Sequence, residues 1–116
     1  MLRRVAPLVD VAGVVVFVAI GRSQHHHGDA WRGLVSTSWP FALGLGIAWL
    51  LITRRARTGL SLADGAFIDV VTVAVAMLAR VLAGQGTAPA FIVVALAFLG
   101  LAFEGWRLVV RRRRRS

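Results

Sequence analysis

The chain has 116 residues, of which 58% are hydrophobic, and its formal net charge at pH 7 is +9. A soluble domain this small has too little interior to hide so much apolar surface, so the composition favours an integral membrane protein. The arginines flank apolar segments instead of alternating with polar residues, which argues against nucleic-acid binding, and the absence of cysteine excludes disulfides and thiolate sites.

Four apolar segments separated by polar connections predict an all-α fold, an integral membrane bundle of four transmembrane helices. A helix needs about 20 residues to cross a hydrocarbon core of roughly 30 Å. The middle two segments have that length, and flanking arginines extend the outer two because their aliphatic stems reach toward the headgroups. We expect one domain with helices at about residues 5–21, 31–53, 64–83 and 88–110, followed by a basic cytoplasmic tail at 111–116.

The arginines predict the orientation of this bundle. With both termini in the cytoplasm, the inner segments carry eleven arginines and the outer connections carry two. Arginines in short loops stay on the cytoplasmic side, so we expect a multi-pass protein of the bacterial plasma (inner) membrane with N-in/C-in topology. The eleven are Arg3, Arg4, Arg54, Arg55, Arg57, Arg107 and Arg111 to Arg115; the outer two are Arg22 and Arg32.

The first apolar segment also loosely resembles a secretory signal. Arg3 and Arg4 precede the apolar run, and Ala19-Ile20-Gly21 imitates a small-x-small cleavage site. Asp10 just before the run and Arg22 just after the site weaken this alternative. We therefore favour an uncleaved helix.

The second helix has two alternative starts. Asp29 is suited to an N-cap, which would begin the helix near Ala30 and place Pro40 inside it as a kink. Alternatively, the helix starts at Ser38 and Pro40 occupies its first turn. A span that starts so late is short, so we favour the longer helix.

Three consecutive histidines, His25, His26 and His27, lie in the first connection. A metal site needs ligands that converge from separate positions, so we predict a solvated loop and no metal, with a pH response as the alternative. The chain also shows no nucleophile–base pair, phosphate loop or metalloprotease spacing. We expect no enzyme, no catalytic residue and no cofactor.

Three carboxylates belong to the predicted spans: Asp10, Asp69 and Glu104. Helix rise places Asp10 and Asp69 at similar depth, each about 7 Å from the inner boundary, and Glu104 reaches the same zone. One interpretation is anchoring by ion pairs with Arg54, Arg55 or Arg107. The other is a proton or cation site, since intramembrane carboxylates usually face protein or water.

A second candidate site lies at the outer end. Arg80 falls near the outer end of the third helix, beside the two outer connections. Either it snorkels or bonds loop carbonyls, or it belongs to a site for a small anion or lipid headgroup. The ligand-binding residues predicted there are Arg22, His25, Arg80, Thr87 and Trp39.

Several short motifs occur in order along nearly the whole chain. They are Gly21-Arg22 with His25 and Gly28, Trp39-Pro40-Phe41 with Gly44 and Trp49, Gly84-Gln85-Gly86-Thr87-Ala88 with Phe91, and Gly105-Trp106-Arg107. Together these motifs resemble a family of small actinobacterial membrane proteins known as domain of unknown function 3054. The resemblance implies a four-helix inner-membrane protein without an assigned activity, so no catalytic residue is carried over from the family.

Three functional hypotheses follow. The first is an inner-membrane protein with a small-ligand or lipid-headgroup site at the outer end. The second is a small proton- or ion-coupled transporter that uses the intramembrane carboxylates. The third is a structural subunit that binds a protein partner or a second copy. Membrane lipid is the partner common to all three, and nucleic acid is expected in none.

Overall fold

The computed structural model describes residues 2–23, 30–85 and 89–115, and within them it contains four α-helices. This confirms the predicted all-α class for the described part of the chain. The helices are α1 (Leu2–Ser23), α2 (Ala30–Arg54), α3 (Leu62–Leu82) and α4 (Pro89–Arg115). Pro40 lies inside α2, as in the longer alternative. The last helix is longer than predicted: it continues through Arg115, because arginine is a good helix former and no glycine or proline interrupts the run.

The helices form a closed ring in which each packs on its neighbours in the chain and α1 packs on α4. Across the ring, Phe41 of α2 packs edge-to-face on Phe91 of α4, with ring centroids 6.1 Å apart. Neighbouring helices are antiparallel, so the α2–α3 connection and the C-terminus of α4 lie at one end. We call it the basic end (residues 54–61 and 107–115).

An aromatic cluster fills the half of the bundle away from the basic end. Phe17 of α1 packs edge-to-face on Phe41 of α2, with ring centroids 5.3 Å apart. The Phe17 ring also stacks on Phe91 at 6.1 Å and packs against Phe98 at 5.3 Å, both on α4. The cluster therefore joins three helices around one interior.

The contact between α2 and α3 depends on small residues. A Cβ at Gly44 would collide with the backbone carbonyl oxygen of Thr72, so only glycine permits this approach. Ala48 and Ala76 are fully buried. Small residues at helical spacing let two helix backbones approach closely. Such van der Waals packing is what joins helices in lipid, where the hydrophobic effect does not drive them together.

The α2–α3 connection is short and held by side chains. The chain turns where Ala56 and Gly59 adopt positive φ angles of 56° and 75°. Ser61 then caps α3: its hydroxyl accepts a hydrogen bond from the Asp64 amide at 3.0 Å. The Asp64 carboxylate in turn accepts the Gly59 amide at 3.1 Å and the Arg57 Nε. The connection is thereby fastened to the first turn of α3.

The outside of the bundle is apolar. Large hydrophobic side chains are exposed on all four helices, including Leu8 at 67%, Leu43 at 46%, Leu82 at 81% and Leu101 at 77%. Soluble monomers rarely expose such continuous apolar surface. By length and composition, two of the helices in the described ranges, Leu62–Leu82 and Pro89–Arg113, are suited to crossing a membrane.

Candidate functional site

The carboxylate of Asp10 is fully buried near the basic end and is surrounded by donors from two other helices. Arg107 of α4 faces it with two parallel bonds, Nη1 to Oδ1 at 2.9 Å and Nη2 to Oδ2 at 2.8 Å. The indole N–H groups of Trp49 and Trp106 donate to Oδ2 and Oδ1, each at 2.9 Å. Asp10 therefore accepts four hydrogen bonds, and its charge is compensated.

Arg107, which is 1% exposed, directs two further donors to the backbone. Its Nε donates to the Gly59 carbonyl and its Nη1 to the Phe103 carbonyl, both at 2.9 Å. Its guanidinium carbon also lies 4.4 Å from the centroid of the Trp106 ring. This cluster joins α1, α2, α4 and the α2–α3 connection, as the anchoring interpretation expects of an ion pair.

The other two predicted carboxylates lie between α3 and α4, and each sits on a glycine of the opposite helix. Glu104 of α4 packs on Gly65 of α3, where a Cβ would collide with its Oε1. Asp69 of α3 packs on Gly100 of α4, where a Cβ would lie 2.9 Å from its Oδ2. In each helix the glycine and the carboxylate are four residues apart, so they share one face. The two glycines make room for two carboxylates at one interface.

Neither carboxylate is compensated in the way that Asp10 is. Among the described residues, Asp69 Oδ1, Thr72 Oγ1 and Glu104 Oε1 are buried and lack a hydrogen-bond partner. Asp69 is 9% exposed, Thr72 is fully buried, and the charges of Asp69 and Glu104 are close enough to interact. Buried polar groups are nearly always satisfied, so these three oxygens form the candidate functional site. We call them the carboxylate row.

The carboxylate row offers proton acceptors in a largely apolar interior. A carboxylate that lacks donors is available to take up a proton, whereas Asp10 already accepts four N–H groups. Within the described ranges, no group of three or more His, Asp or Glu side chains is arranged to hold a metal ion.

The structure describes only part of the predicted outer-end site. The guanidinium carbon of Arg80 lies 4.8 Å from the centroid of the Phe91 ring, and Trp39 is 40% exposed. His25 and Thr87 lie outside the described residues, as does the side chain of Arg22. The grouping of these five residues therefore stays a prediction.

Four residues that matter at the basic end were not singled out from the sequence as site residues: Trp49, Trp106, Gly65 and Gly100. For the tryptophans, only the rotation of each helix about its axis shows that the indole N–H groups point at Asp10. The glycines carried a usable signal, because each lies four residues before a carboxylate on its own helix. An antiparallel α3–α4 pairing then sets each glycine opposite a carboxylate.

Comparison with known proteins identifies the family. Residues 7–110 match the model of the family described as protein of unknown function (DUF3054). The chain therefore belongs to that family, which confirms the resemblance drawn from the sequence motifs. No curated protein and no solved structure gives a significant match.

Proposed function

We propose that this DUF3054 protein is a four-span membrane protein, N-in and C-in, that conducts protons across the membrane down their electrochemical gradient. In this proposal Asp69 and Glu104 carry the proton. The single observation that supports it most directly is the buried Asp69 carboxylate between two helices, whose Oδ1 has no hydrogen-bond partner among the described residues.

The apolar exterior supports membrane insertion of all four helices. Exposed aliphatic side chains occur on α1 and α2 as well as on the two helices that meet the length and composition criteria. The antiparallel ring requires an even number of crossings if each helix spans the bilayer. The arginine bias then puts the basic end in the cytoplasm.

The contrast between the two buried sites supports a role for the carboxylate row. A buried charge without a partner is costly, and an apolar residue in its place usually makes a protein more stable. The chain satisfies Asp10 with four donors and leaves Asp69 without an equivalent set. Ionisable residues in membrane spans that lack structural partners commonly mark proton relays.

The position of the carboxylate row is compatible with access from the cytoplasm. Asp69 lies seven residues after the start of α3, about 10 Å along the helix axis. Glu104 is partly exposed next to the basic end, and Thr72 lies about one turn deeper than Asp69. The three side chains therefore extend from the cytoplasmic mouth toward the middle of the bundle.

Proton flux into proteoliposomes tests the proposal. The purified protein is reconstituted with a trapped pH-sensitive dye, and a potassium diffusion potential drives proton entry. We expect flux above that of protein-free liposomes, a loss of at least tenfold in Asp69→Asn, and a smaller loss in Glu104→Gln. Gly105→Ala is the matched control on α4, because a Cβ there meets nothing within 4 Å.

The Asp69→Asn variant is suited to this experiment because it should fold. The substitution keeps the shape of the side chain and removes a buried charge, so the free energy of unfolding should stay the same or rise. Wild-type flux in a folded Asp69→Asn variant would exclude the proposal. Flux at the protein-free level in the wild-type protein would also exclude it.

The two other hypotheses from the sequence have less support. The outer-end ligand site rests on five residues, and the described side chains among them are those of Arg80 and Trp39. The partner-binding subunit rests on the arginines at the end of α4, three of which, Arg111 to Arg113, are described and exposed. A plain topological role accounts equally well for those arginines.

A further inference from the structure

A pocket of about 400 Å³ opens at the basic end, between the C-terminal turn of α2, the connection and the first turns of α3. It combines two arginines with an apolar wall, a combination that the anchoring cluster and the carboxylate row do not use. We call it the Arg55–Arg57 pocket. It is lined by Ile52, Arg55, Arg57, Ala63, Asp64 and Phe67.

Arg55 is held in place at this pocket while its donors remain available. Its guanidinium carbon lies over the Phe67 ring, 5.2 Å from the ring centroid, which is within the range of a cation–π contact. Within the described part of the chain, no acceptor receives a hydrogen bond from this guanidinium. A planar group with five N–H donors is therefore presented to the pocket.

Arg57 is held through its Nε atom. Its Nε donates to Asp64 Oδ1, and the other oxygen of that carboxylate accepts the Gly59 amide. Asp64 is thus occupied by two donors and lies in the first turn of α3, where the helix dipole also favours its charge. Within the part of the chain that the structure describes, both terminal amines of Arg57 remain for a second acceptor.

The apolar side of the pocket indicates what kind of anion fits. Ile52 is buried, and Phe67 and Ala63 continue the wall toward α3. A free phosphate ion would leave these carbons facing water. A phospholipid would place its phosphate between the arginines and its glycerol and upper acyl carbons against the apolar wall.

We propose that the Arg55–Arg57 pocket binds the phosphate headgroup of an anionic phospholipid from the cytoplasmic leaflet. This inference rests on the membrane placement in the proposed function, which puts the basic end at headgroup level. Arginine forks bind phosphate through paired hydrogen bonds, and basic pockets between helices on the cytoplasmic side are suited to anionic headgroups. The bound lipid then holds the α2–α3 connection in place, and with it the start of α3, the helix that carries Asp69.

Native mass spectrometry of the detergent-purified protein tests the inference. The protein is titrated with phosphatidylglycerol and, in parallel, with phosphatidylcholine of the same acyl chains. We expect preferential binding of phosphatidylglycerol, weakened roughly 30-fold in the double variant Arg55→Gln/Arg57→Gln, the ratio that about 1 kcal/mol for each of two arginines gives. The matched control is Arg111→Gln/Arg112→Gln, which removes two exposed arginines of the same end that do not line the pocket.

A second variant separates geometry from charge. Arg55→Lys keeps the positive charge but lacks the planar fork that stacks on Phe67 and pairs with phosphate. We expect it to weaken phosphatidylglycerol binding several-fold with an unchanged circular dichroism spectrum. Full binding by Arg55→Lys would overturn the proposed geometry.

Three other results would contradict lipid binding at the Arg55–Arg57 pocket. Equal weakening in the control pair would mean non-specific attraction to the basic end and would overturn the proposal. Unchanged binding in Arg55→Gln/Arg57→Gln would do the same. Displacement of the lipid by millimolar inorganic phosphate would show that the pocket takes a soluble anion instead.

This experiment can fail independently of the proposed function. Asp69→Asn should bind phosphatidylglycerol as the wild type does while losing proton flux. If the pocket binds no lipid, the flux result for Asp69 still stands. If flux is absent but the arginine pair governs lipid binding, the pocket survives and the transport proposal does not.

Discussion

Arg107 and Asp10 face each other with their two pairs of atoms in parallel, 2.9 Å and 2.8 Å apart, although 97 residues separate them in the chain. Both side chains are almost completely shielded from solvent. Taking two charges out of water costs several kcal/mol for each ion, so the pair needs the further hydrogen bonds that two tryptophans and two carbonyls provide. The first helix is thereby bonded to the last.

Removing one partner of this pair should be strongly destabilising. Asp10→Asn removes the carboxylate that both terminal amines of the buried Arg107 bond, and the free energy of unfolding should fall by about 3–5 kcal/mol. Denaturant titration of the detergent-solubilised protein, followed by circular dichroism, measures the change.

The double variant Asp10→Leu/Arg107→Met is the control for this prediction. It removes both charges and fills the space with apolar atoms, so it should recover most of the lost stability. If the double variant were as unstable as Asp10→Asn, the cluster would stabilise the protein through the packing of its side chains and not through charge compensation.

The two tryptophans of the cluster should each contribute measurably. Trp49→Phe and Trp106→Phe remove one hydrogen bond to a buried carboxylate, which is worth about 1.5–3 kcal/mol when the acceptor is charged. Trp39→Phe is the control, because Trp39 is 40% exposed and does not contact Asp10. Thermal unfolding monitored by circular dichroism should show lowered midpoints for the first two variants and an unchanged one for the control; equal midpoints in all three would contradict the prediction.

The glycines under the carboxylates should not tolerate a methyl group. In Gly65→Ala the new Cβ would meet Glu104 and lie 2.9 Å from Arg107 Cδ, so the α3–α4 contact must open at a cost of about 1–3 kcal/mol. In Gly100→Ala the Cβ displaces the Asp69 carboxylate, and proton flux should fall even where the fold survives. Unfolding and flux are measured on the same preparations.

Gly105→Ala is the internal reference for both glycine variants. Alanine is the better helix former by up to about 1 kcal/mol, and nothing lies within 4 Å of the new Cβ. It should therefore be as stable as the wild type or more so. Loss of stability in Gly105→Ala comparable to that in Gly65→Ala would refute the steric argument.

Single cysteines test the proposed orientation. The chain has no cysteine of its own, so each introduced thiol is the sole target of a maleimide. Thr58→Cys lies in the exposed connection at the basic end, and Gln85→Cys follows α3 at the opposite end. A membrane-impermeant maleimide added to intact cells should label Gln85→Cys at once and Thr58→Cys only after permeabilisation; the reverse pattern would invert the topology.

Much of the fold followed from hydropathy and helix punctuation. The four helices and the turn after α2 follow from hydropathy, chain distance and helix rise, which the sequence contains. The sequence left three possible ion-pair partners for the carboxylates, Arg54, Arg55 and Arg107. The structure shows that Asp10 pairs with Arg107. Rotation of each helix about its own axis decides between them, and rotation depends on packing against neighbours.

The candidate site, too, could be predicted only in part from the sequence. Asp69 and Glu104 were identifiable because charged residues are rare in apolar helices. The other features depend on which helix faces meet across an interface. They are the glycines on which the two carboxylates pack, the four donors that surround Asp10, and the Arg55–Arg57 pocket. Such pairings join residues far apart in the chain, so local patterns carry little information about them.

The bond between the first and last helices also has a consequence for synthesis. A ribosome that adds 5–20 residues per second delivers Arg107 roughly 5–20 s after Asp10. During that interval the nascent amino-terminal segment holds a carboxylate whose counter-ion does not yet exist. Asp10 can therefore be bonded by Arg107 only after residue 107 has been added to the chain. A polypeptide truncated before Arg107 should be degraded quickly by proteases.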